Sequence, residues 1–325
     1  MNRAVAVVTG ALLLCQWGVA AIGMQAPIVV HGTWERVVDA AAFSPRDSSA
    51  NAAVYYRGAH WVFAGWSAAG EQYESTAAVW RSADGVVWTL VNATPPYHPY
   101  SAFVVFRGKV WAMSSRTYRS TDGVHWQRSA QLPFVPIRAT VHGKALMAVD
   151  EEQRIWMSLD GERWRMLSHA PWSARELPGF HSFSGRLWFF GGSAGYNTRG
   201  QESYFRDVWS SADGVEWRLE SAEAPWEGRH WAATAVYGGR LWLASGWRFD
   251  DNFAEREWGN RRDVWSSADG RNWDFEGDAP WSARHAPLFW TAPDGLWLSS
   301  GYAGGGRNRL YNDVWRLRLS VGRRP

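Results

Sequence analysis

Short apolar and aromatic runs, broken at close intervals by Gly and Asp-Gly, fill the chain and predict many short strands in place of helices. The breaks are periodic. An aromatic, one residue, Ser, one residue, Asp-Gly, two residues and Trp recur in one phase from Trp80 to Trp88, Tyr118 to Trp126, Trp156 to Trp164, Trp209 to Trp217 and Trp265 to Trp273. Asp-Gly fits a tight turn between two strands, and the flanking aromatics fit strands with one buried face. Two further strand-like runs precede each such hairpin. In the fifth unit they are Trp231 to Tyr237 and Arg240 to Ser245, joined by Gly238-Gly239. The unit is therefore four antiparallel strands, a to d.

Six units are legible. Strand b carries Trp61, Trp111, Trp188, Trp242 and Trp297, with Leu146 in that place in unit three. Strand c carries Trp80, Tyr118, Trp156, Trp209, Trp265 and Trp315. The sixth unit stops after strand c, and Thr33-Trp34-Glu35-Arg36-Val37 near the N-terminus matches its missing strand d. An N-terminal strand around Trp34 completing the last unit closes a ring and removes exposed sheet edges. The expected fold is an all-β, six-bladed propeller over residues 27–325, in four-stranded antiparallel blades.

At 325 residues and 46% hydrophobic, the chain is large enough to bury a sizeable core. A net charge of +3 and no Lys/Arg run argue against a nucleic-acid partner. Met1-Asn2-Arg3 followed by uncharged residues to Gly23 reads as a signal peptide over 1–23. Export to the periplasm or the extracellular space follows, as a monomer without stable membrane insertion after cleavage. Cys15, the only cysteine, lies in that segment, so packing without disulfides holds the mature domain. Leu14 before Cys15 is bulky where a lipoprotein site needs a small residue. No metal-ligand spacing appears, and no cofactor is expected.

Most of the 25 Trp residues occupy b, c or d positions or an Ala-Pro-Trp element at Trp172, Trp226 and Trp281, and so read as core. Trp66, Trp247 and Trp258 fall in predicted loops. The Asp of each hairpin satisfies its own turn and takes no catalytic role.

Loops between strands b and c, with those between d and a, share one face of such a ring. From the strand-b position to the strand-c aromatic takes 19, 7, 10, 21, 23 and 18 residues, so units four, five, six and one carry the long loops. Thirteen residues before the strand-b Trp stand Arg175, Arg229 and Arg284, with His98 in unit two and Ser48 and Pro133 in units one and three. Glu176, His230 and His285 follow the arginines. Two readings are open. Either the arginines enter the channel mouth together and hold an anion, or each staples its own loop through backbone carbonyls. The ligand-binding candidates are Arg175, Arg229, Arg284, His230, His285, His98, Trp247 and Tyr302. Tyr196, Tyr204, Asp250, Asp251, Glu255, Glu257, Trp258, Arg261, Arg262, Arg307 and Tyr311 supplement them from the long loops.

Gly191-Gly192 after Leu187-Trp188-Phe189-Phe190, with Asp-Val-Trp at 207–209, 263–265 and 313–315, resembles kelch repeats of the galactose oxidase/kelch-like superfamily. The Ser-x-Asp-Gly-x-x-Trp hairpins resemble the Asp-boxes of sialidase-type propellers. A six-bladed, exported kelch propeller resembles, more distantly, the periplasmic N-acetylneuraminate epimerases. That resemblance implies cofactor-free anomer interconversion of a sugar acid by general acid–base chemistry. The partner classes are thus a small anionic carbohydrate or, for a non-catalytic interaction propeller, an acidic peptide. A sialidase-like hydrolase lacks its expected Arg-Ile-Pro element, Pro136-Ile137-Arg138 being reversed and misplaced. Copper chemistry of the galactose oxidase type needs a cysteine that the mature chain lacks.

Overall fold

In a computed structural model, the described residues are 28–48, 52–69, 72–195, 203–249, 257–304 and 309–323. The expected signal peptide lies outside them. Two compact units are present, Gly32–Leu319 and a small one of Met1–His31 with Ser320–Pro325. The larger one holds the sheets and the cavities described below.

Apart from one 3-10 turn, Glu257–Gly259, the regular elements described are strands. Six four-stranded antiparallel sheets follow the repeat. The first runs Ala53–Tyr56, Ala59–Val62, Val79–Ser82 and Thr89–Asn92, and the fifth Ala233–Tyr237, Arg240–Trp247, Asn260–Ser267 and Asp274–Asp278. The sixth joins Leu288–Ala292, Gly295–Ser299 and Val314–Arg323 to Ile28–Val38, so an early strand and a late one share one sheet. Successive first strands touch in order, and Leu288–Ala292 returns to Ala53–Tyr56. The architecture is that of a β-propeller.

The repeated signature sets both the turn and the joint between blades. In the first copy Ser82 Oγ accepts from Gly85 N at 2.8 Å, and Asp84 Oδ1 accepts from Val86 N and Val87 N at 2.9 and 3.0 Å. These bonds, led by the one from Val87, hold the Asp84 carboxyl below its ordinary range. The glycine has φ of 76°, and a Cβ there would meet the Trp297 ring of the preceding blade at 2.4 Å. Gly123 meets Trp61, Gly161 meets Trp111 and Gly270 meets Trp188 in the same way, at 2.6, 2.5 and 2.3 Å. In unit three, where Leu146 replaces Trp, Gly214 rests against Met147 instead, at 2.8 Å. At the other four joints Gly in one blade and Trp in the previous one therefore interlock.

Long b–c loops build additional hairpins on the mouth side. Gly65–Ala69 pairs Gln72–Thr76 and Arg46–Asp47, Ser193–Ala194 pairs Ser203–Tyr204, and Tyr302–Ala303 pairs Arg309–Leu310. These belong to units one, four and six. In unit five the blade strands Arg240–Trp247 and Asn260–Ser267 extend to the same purpose.

Candidate functional site

Arg175, Arg229 and Arg284 do not open onto the mouth together. Each side chain is 1% exposed and forks onto the strand-c aspartate of its own blade: Arg175 on Asp207, Arg229 on Asp263, Arg284 on Asp313. Arg284 shows the pattern, with Nη1 to Asp313 Oδ1 at 2.5 Å and Nη2 to Oδ2 at 3.0 Å. Its Nε donates to Ser282 O at 3.0 Å and Nη1 also to Ser300 O at 3.0 Å. The strand-c indole completes the carboxylate's shell, Trp315 Nε1 to Asp313 Oδ2 at 2.8 Å. A guanidinium satisfied by one carboxylate and two carbonyls has no reason to seek an external anion. The converging-arginine expectation is thus corrected in favour of the staple, and the aspartate of Asp-Val-Trp is the partner that the sequence did not reveal.

The staple also exists in unit one, at a residue that counting back from Trp61 misses. Arg46 is 1% exposed, bonds Ser44 O through Nε at 3.0 Å, and bridges Tyr311 as Arg284 bridges Arg261. The signal was present in another register: Trp172, Trp226, Trp281 and Phe43 each precede an arginine by three residues. Ser48, placed by the thirteen-residue count, lies two residues further on.

Of the residues immediately after the staples, Asp47, Glu176 and His285 face the channel mouth. Asp47, Glu176, His230 and His285 hold equivalent places, pairing with Trp66, Ser193, Trp247 and Tyr302 of the neighbouring loops. A mouth cavity of about 1220 Å³ is lined by Asp47, Glu176 and His285 together with Trp66, His98, Tyr100, Arg138, Glu151, Trp231 and Tyr302, while His230 packs on Trp231. Of the sequence candidates, His98, His285, Tyr302 and Glu176 therefore share one cavity. Arg175 reaches it only at the rim, its side chain being buried behind.

Trp231 organises one wall. His230 stacks on it at 3.8 Å and His285 at 5.0 Å, while Tyr302 meets His285 edge-on at 5.1 Å. Its backbone sits at φ of 52°, a left-handed conformation costly for a bulky residue. Leu177 and Ala286, at the matching positions of the adjacent blades, share it at 52° and 51°. The loop geometry that seats the arginine therefore also swings the second residue after it toward the channel. Trp247 stands behind this wall, exchanging backbone hydrogen bonds with His230 at 2.7 and 2.8 Å.

Below the mouth the channel narrows to a cavity of about 350 Å³ between the first strands. Arg138 lines both spaces. Its Nε donates to Pro178 O at 3.0 Å and Nη1 to Ile137 O at 2.9 Å, which fixes the guanidinium in the channel wall. Desolvation lowers its pKa to about 10, leaving it charged at neutral pH. Burial, aided by Arg138, pushes His181 down to about 3, and burial with His230 does the same to His285, so both rings are neutral. Asp47 moves the other way: burial raises it to about 6 against a backbone hydrogen bond from Trp66. Arg138, Asp47 and Trp231 were not on the sequence-derived site list. Asp47 and Trp231 follow the arginines once these are counted from the aromatic three places before each, whereas no run or spacing marks Arg138.

The remaining loop candidates are dispersed. Tyr204 carries Arg248 over its ring at 4.9 Å, Tyr311 lies under Arg284 at 3.7 Å, and Arg261 bonds Glu227 at 3.0 Å. Arg262 pairs Asp278 at 3.3 Å outside the mouth. Trp258, beside Glu257 in the 3-10 turn, is exposed. Tyr196, Asp250, Asp251, Glu255 and Arg307 lie outside the described residues. Among the described residues no group of three or more His, Cys, Asp or Glu has the arrangement to hold a metal ion.

No family model matches the sequence, and no curated protein is similar to it by sequence. Among solved structures, the chain is similar to that of YjhT, with a TM-score of 0.61 and 10% identity, over 87% of this chain and 99% of the other. At that identity the likeness speaks for the propeller fold.

Proposed function

We propose that the mouth cavity binds a small carbohydrate acid and interconverts its anomers. The observation that carries this reading is the composition of one cavity. Aromatic faces (Trp66, Tyr100, Trp231, Tyr302) suited to sugar rings surround the wall-fixed cation Arg138 and an acid, Asp47, that titrates near neutral pH. Arg138 receives the ligand's carboxylate, the role that one of the two sequence readings gave to the three staple arginines. Asp47 in its protonated form donates to the ring oxygen, and neutral His285 or Glu176 accepts from the anomeric hydroxyl. An acidic peptide suits the site less, since Asp47, Glu151 and Glu176 stand around the same mouth.

Calorimetric titration with N-acetylneuraminate, glucuronate and glucose tests the binding, and NMR of freshly dissolved sugar acid tests the reaction. Acid-selective binding that Arg138→Met abolishes supports the assignment. Equal affinity for neutral and acidic sugars, or none for either, refutes it. Binding with no acceleration of anomer exchange leaves a carbohydrate-binding propeller and removes the catalytic half.

A further inference from the structure

Unit one keeps the arginine staple but lacks its aspartate. Asp207, Asp263 and Asp313 each stand two residues before a strand-c Trp, and Ala78 holds that place before Trp80. The loop is otherwise similar, although the bond from Nη1 to a carbonyl at the end of strand b that Arg175, Arg229 and Arg284 make is also missing at Arg46. A Cβ on Gly65 would meet Arg46 Cδ at 3.2 Å, as one on Gly246 would meet Arg229 Cδ at 2.7 Å and one on Gly301 would meet Arg284 Cδ at 2.9 Å.

With that carboxylate missing, two donors lack the acceptor that they share in the other stapled blades. In units four, five and six the aspartate accepts from the arginine Nη1 and from the strand-c indole, the latter at 2.7, 2.7 and 2.8 Å. Unit three, with its short loop, supplies the indole's acceptor from Asp150, which bonds Trp156 Nε1 at 2.7 Å. In unit one, both Arg46 Nη1 and Trp80 Nε1 are buried without a hydrogen-bond partner. Nη2 finds only the Ser44 hydroxyl at 3.0 Å, and Nε the Ser44 carbonyl.

A guanidinium buried without a counter-charge costs several kcal/mol, which makes it a strong anion seeker. Desolvation lowers the Arg46 pKa only to about 10, so the charge persists at neutral pH. Tyr97 nearby does not compensate. Its hydroxyl is spent on Phe63 O and Ala77 O at 2.8 and 2.9 Å, and burial keeps it protonated. Asp47, the next residue along the strand, points to the opposite face and lines the mouth. Ala78 is only half-buried, which gives a small solute a way in.

We propose that this chain binds one small monovalent anion, of carboxylate or halide size, between Arg46 Nη1 and Trp80 Nε1, in the place of the aspartate that unit one lacks. The site is distinct from the mouth cavity, and its role is to complete the blade.

Thermal unfolding of the full chain in sodium chloride, bromide or formate, against sodium gluconate at equal ionic strength, tests this. Small anions should raise the melting temperature saturably, by about 4 °C at a hundredfold excess over Kd. Ala78→Asp, which restores the internal carboxylate, should melt as high in gluconate as the native chain in saturating chloride, with no further response to anions. A native melting temperature indifferent to the anion overturns the proposal, as does a dependence that survives Ala78→Asp. Should that variant fail to fold, bromide-soaked crystals of the native chain decide. An anomalous peak between Arg46 and Trp80 supports the site, and its absence overturns it.

Discussion

Replacing Arg229 by Ala separates the two readings of the arginines. The substitution removes a 1%-exposed guanidinium from Asp263, whose own side chain is 19% exposed, and from Glu227 O and Ser245 O at 2.9 and 3.1 Å. Asp263 then retains only Trp265 Nε1, at 2.7 Å. Burial alone would raise the Asp263 pKa, and Arg229 is the main group that reverses this. Breaking such a buried pair from one side costs about 3–5 kcal/mol. For a unit of about 290 residues, an unfolding entropy near 2.1 cal/mol/K per residue gives about 0.6 kcal/mol/K. Arg229→Ala should therefore lower the melting temperature by about 5–8 °C in scanning calorimetry at pH 7. Asp263→Ala should fall in the same range. Arg229→Met with Asp263→Leu should recover much of the loss, since an apolar pair leaves no buried charge behind. A drop below about 2 °C for Arg229→Ala, with sugar-acid binding abolished, would return the arginine to the mouth and refute the staple.

Other consequences are checked in the same calorimeter or by urea titration. Gly270→Ala should cost about 2–3 kcal/mol, because its φ of 77° and the Trp188 ring at 2.3 Å both oppose a Cβ. Asp213→Ala should cost about 1 kcal/mol by uncapping Val215 N, with carbohydrate binding unchanged. His285, held near 3 when folded, takes up a proton on unfolding below about pH 6.5, so its contribution is present above that pH and lost as pH falls toward 3. Urea stability should therefore decline less between pH 7 and 5 in His285→Gln than in the native chain. Asp47 has the opposite sign. With its folded pKa raised to about 6, its contribution is fully present below about pH 4 and lost as pH rises through 6, so Asp47→Asn should remove a stability loss over that window.

The fold was legible because its determinants repeat. Asp-Gly turns, strand-b Trp and the unmatched last unit are each explained by a local constraint: a capped turn, a glycine pressed on an indole, a sheet edge to be covered. The site was legible only in part. Glu176, His230 and His285 followed from the arginines, but Asp47 did not, since the loop before unit one is two residues longer when counted from Trp61. Counting from the aromatic three places before each arginine puts all four in register, because that ring packs beneath the loop whatever the length above it. The error over the arginines had another cause. Spacing along the chain placed each near the mouth correctly, but the direction of a side chain depends on its partner, and the aspartate lies 29 to 34 residues away.

That distinction bears on where recognition resides in a repeat fold. A residue present at the same place in several blades is most economically satisfied inside each blade, as Arg175, Arg229 and Arg284 are by their own aspartates. A ligand at the common axis meets instead the positions at which the blades differ. One residue after the staple these are Asp47, Glu176, His230 and His285, and two residues after it Ser48, Leu177, Trp231 and Ala286. The backbone delivers Asp47, Glu176, Leu177, Trp231 and His285 to the mouth and Ser48 and Ala286 to the narrower space below it, and their chemistry is free to vary because the staple beneath does not depend on it. An asymmetric cavity with an acid near neutrality, a fixed cation and a stacked wall arises in this way from near-identical blades. Unit one extends the argument in the other direction. There the variation reached the staple itself, and among the described residues Arg46 Nη1 and Trp80 Nε1 have no hydrogen-bond partner, which is what the proposed anion would supply.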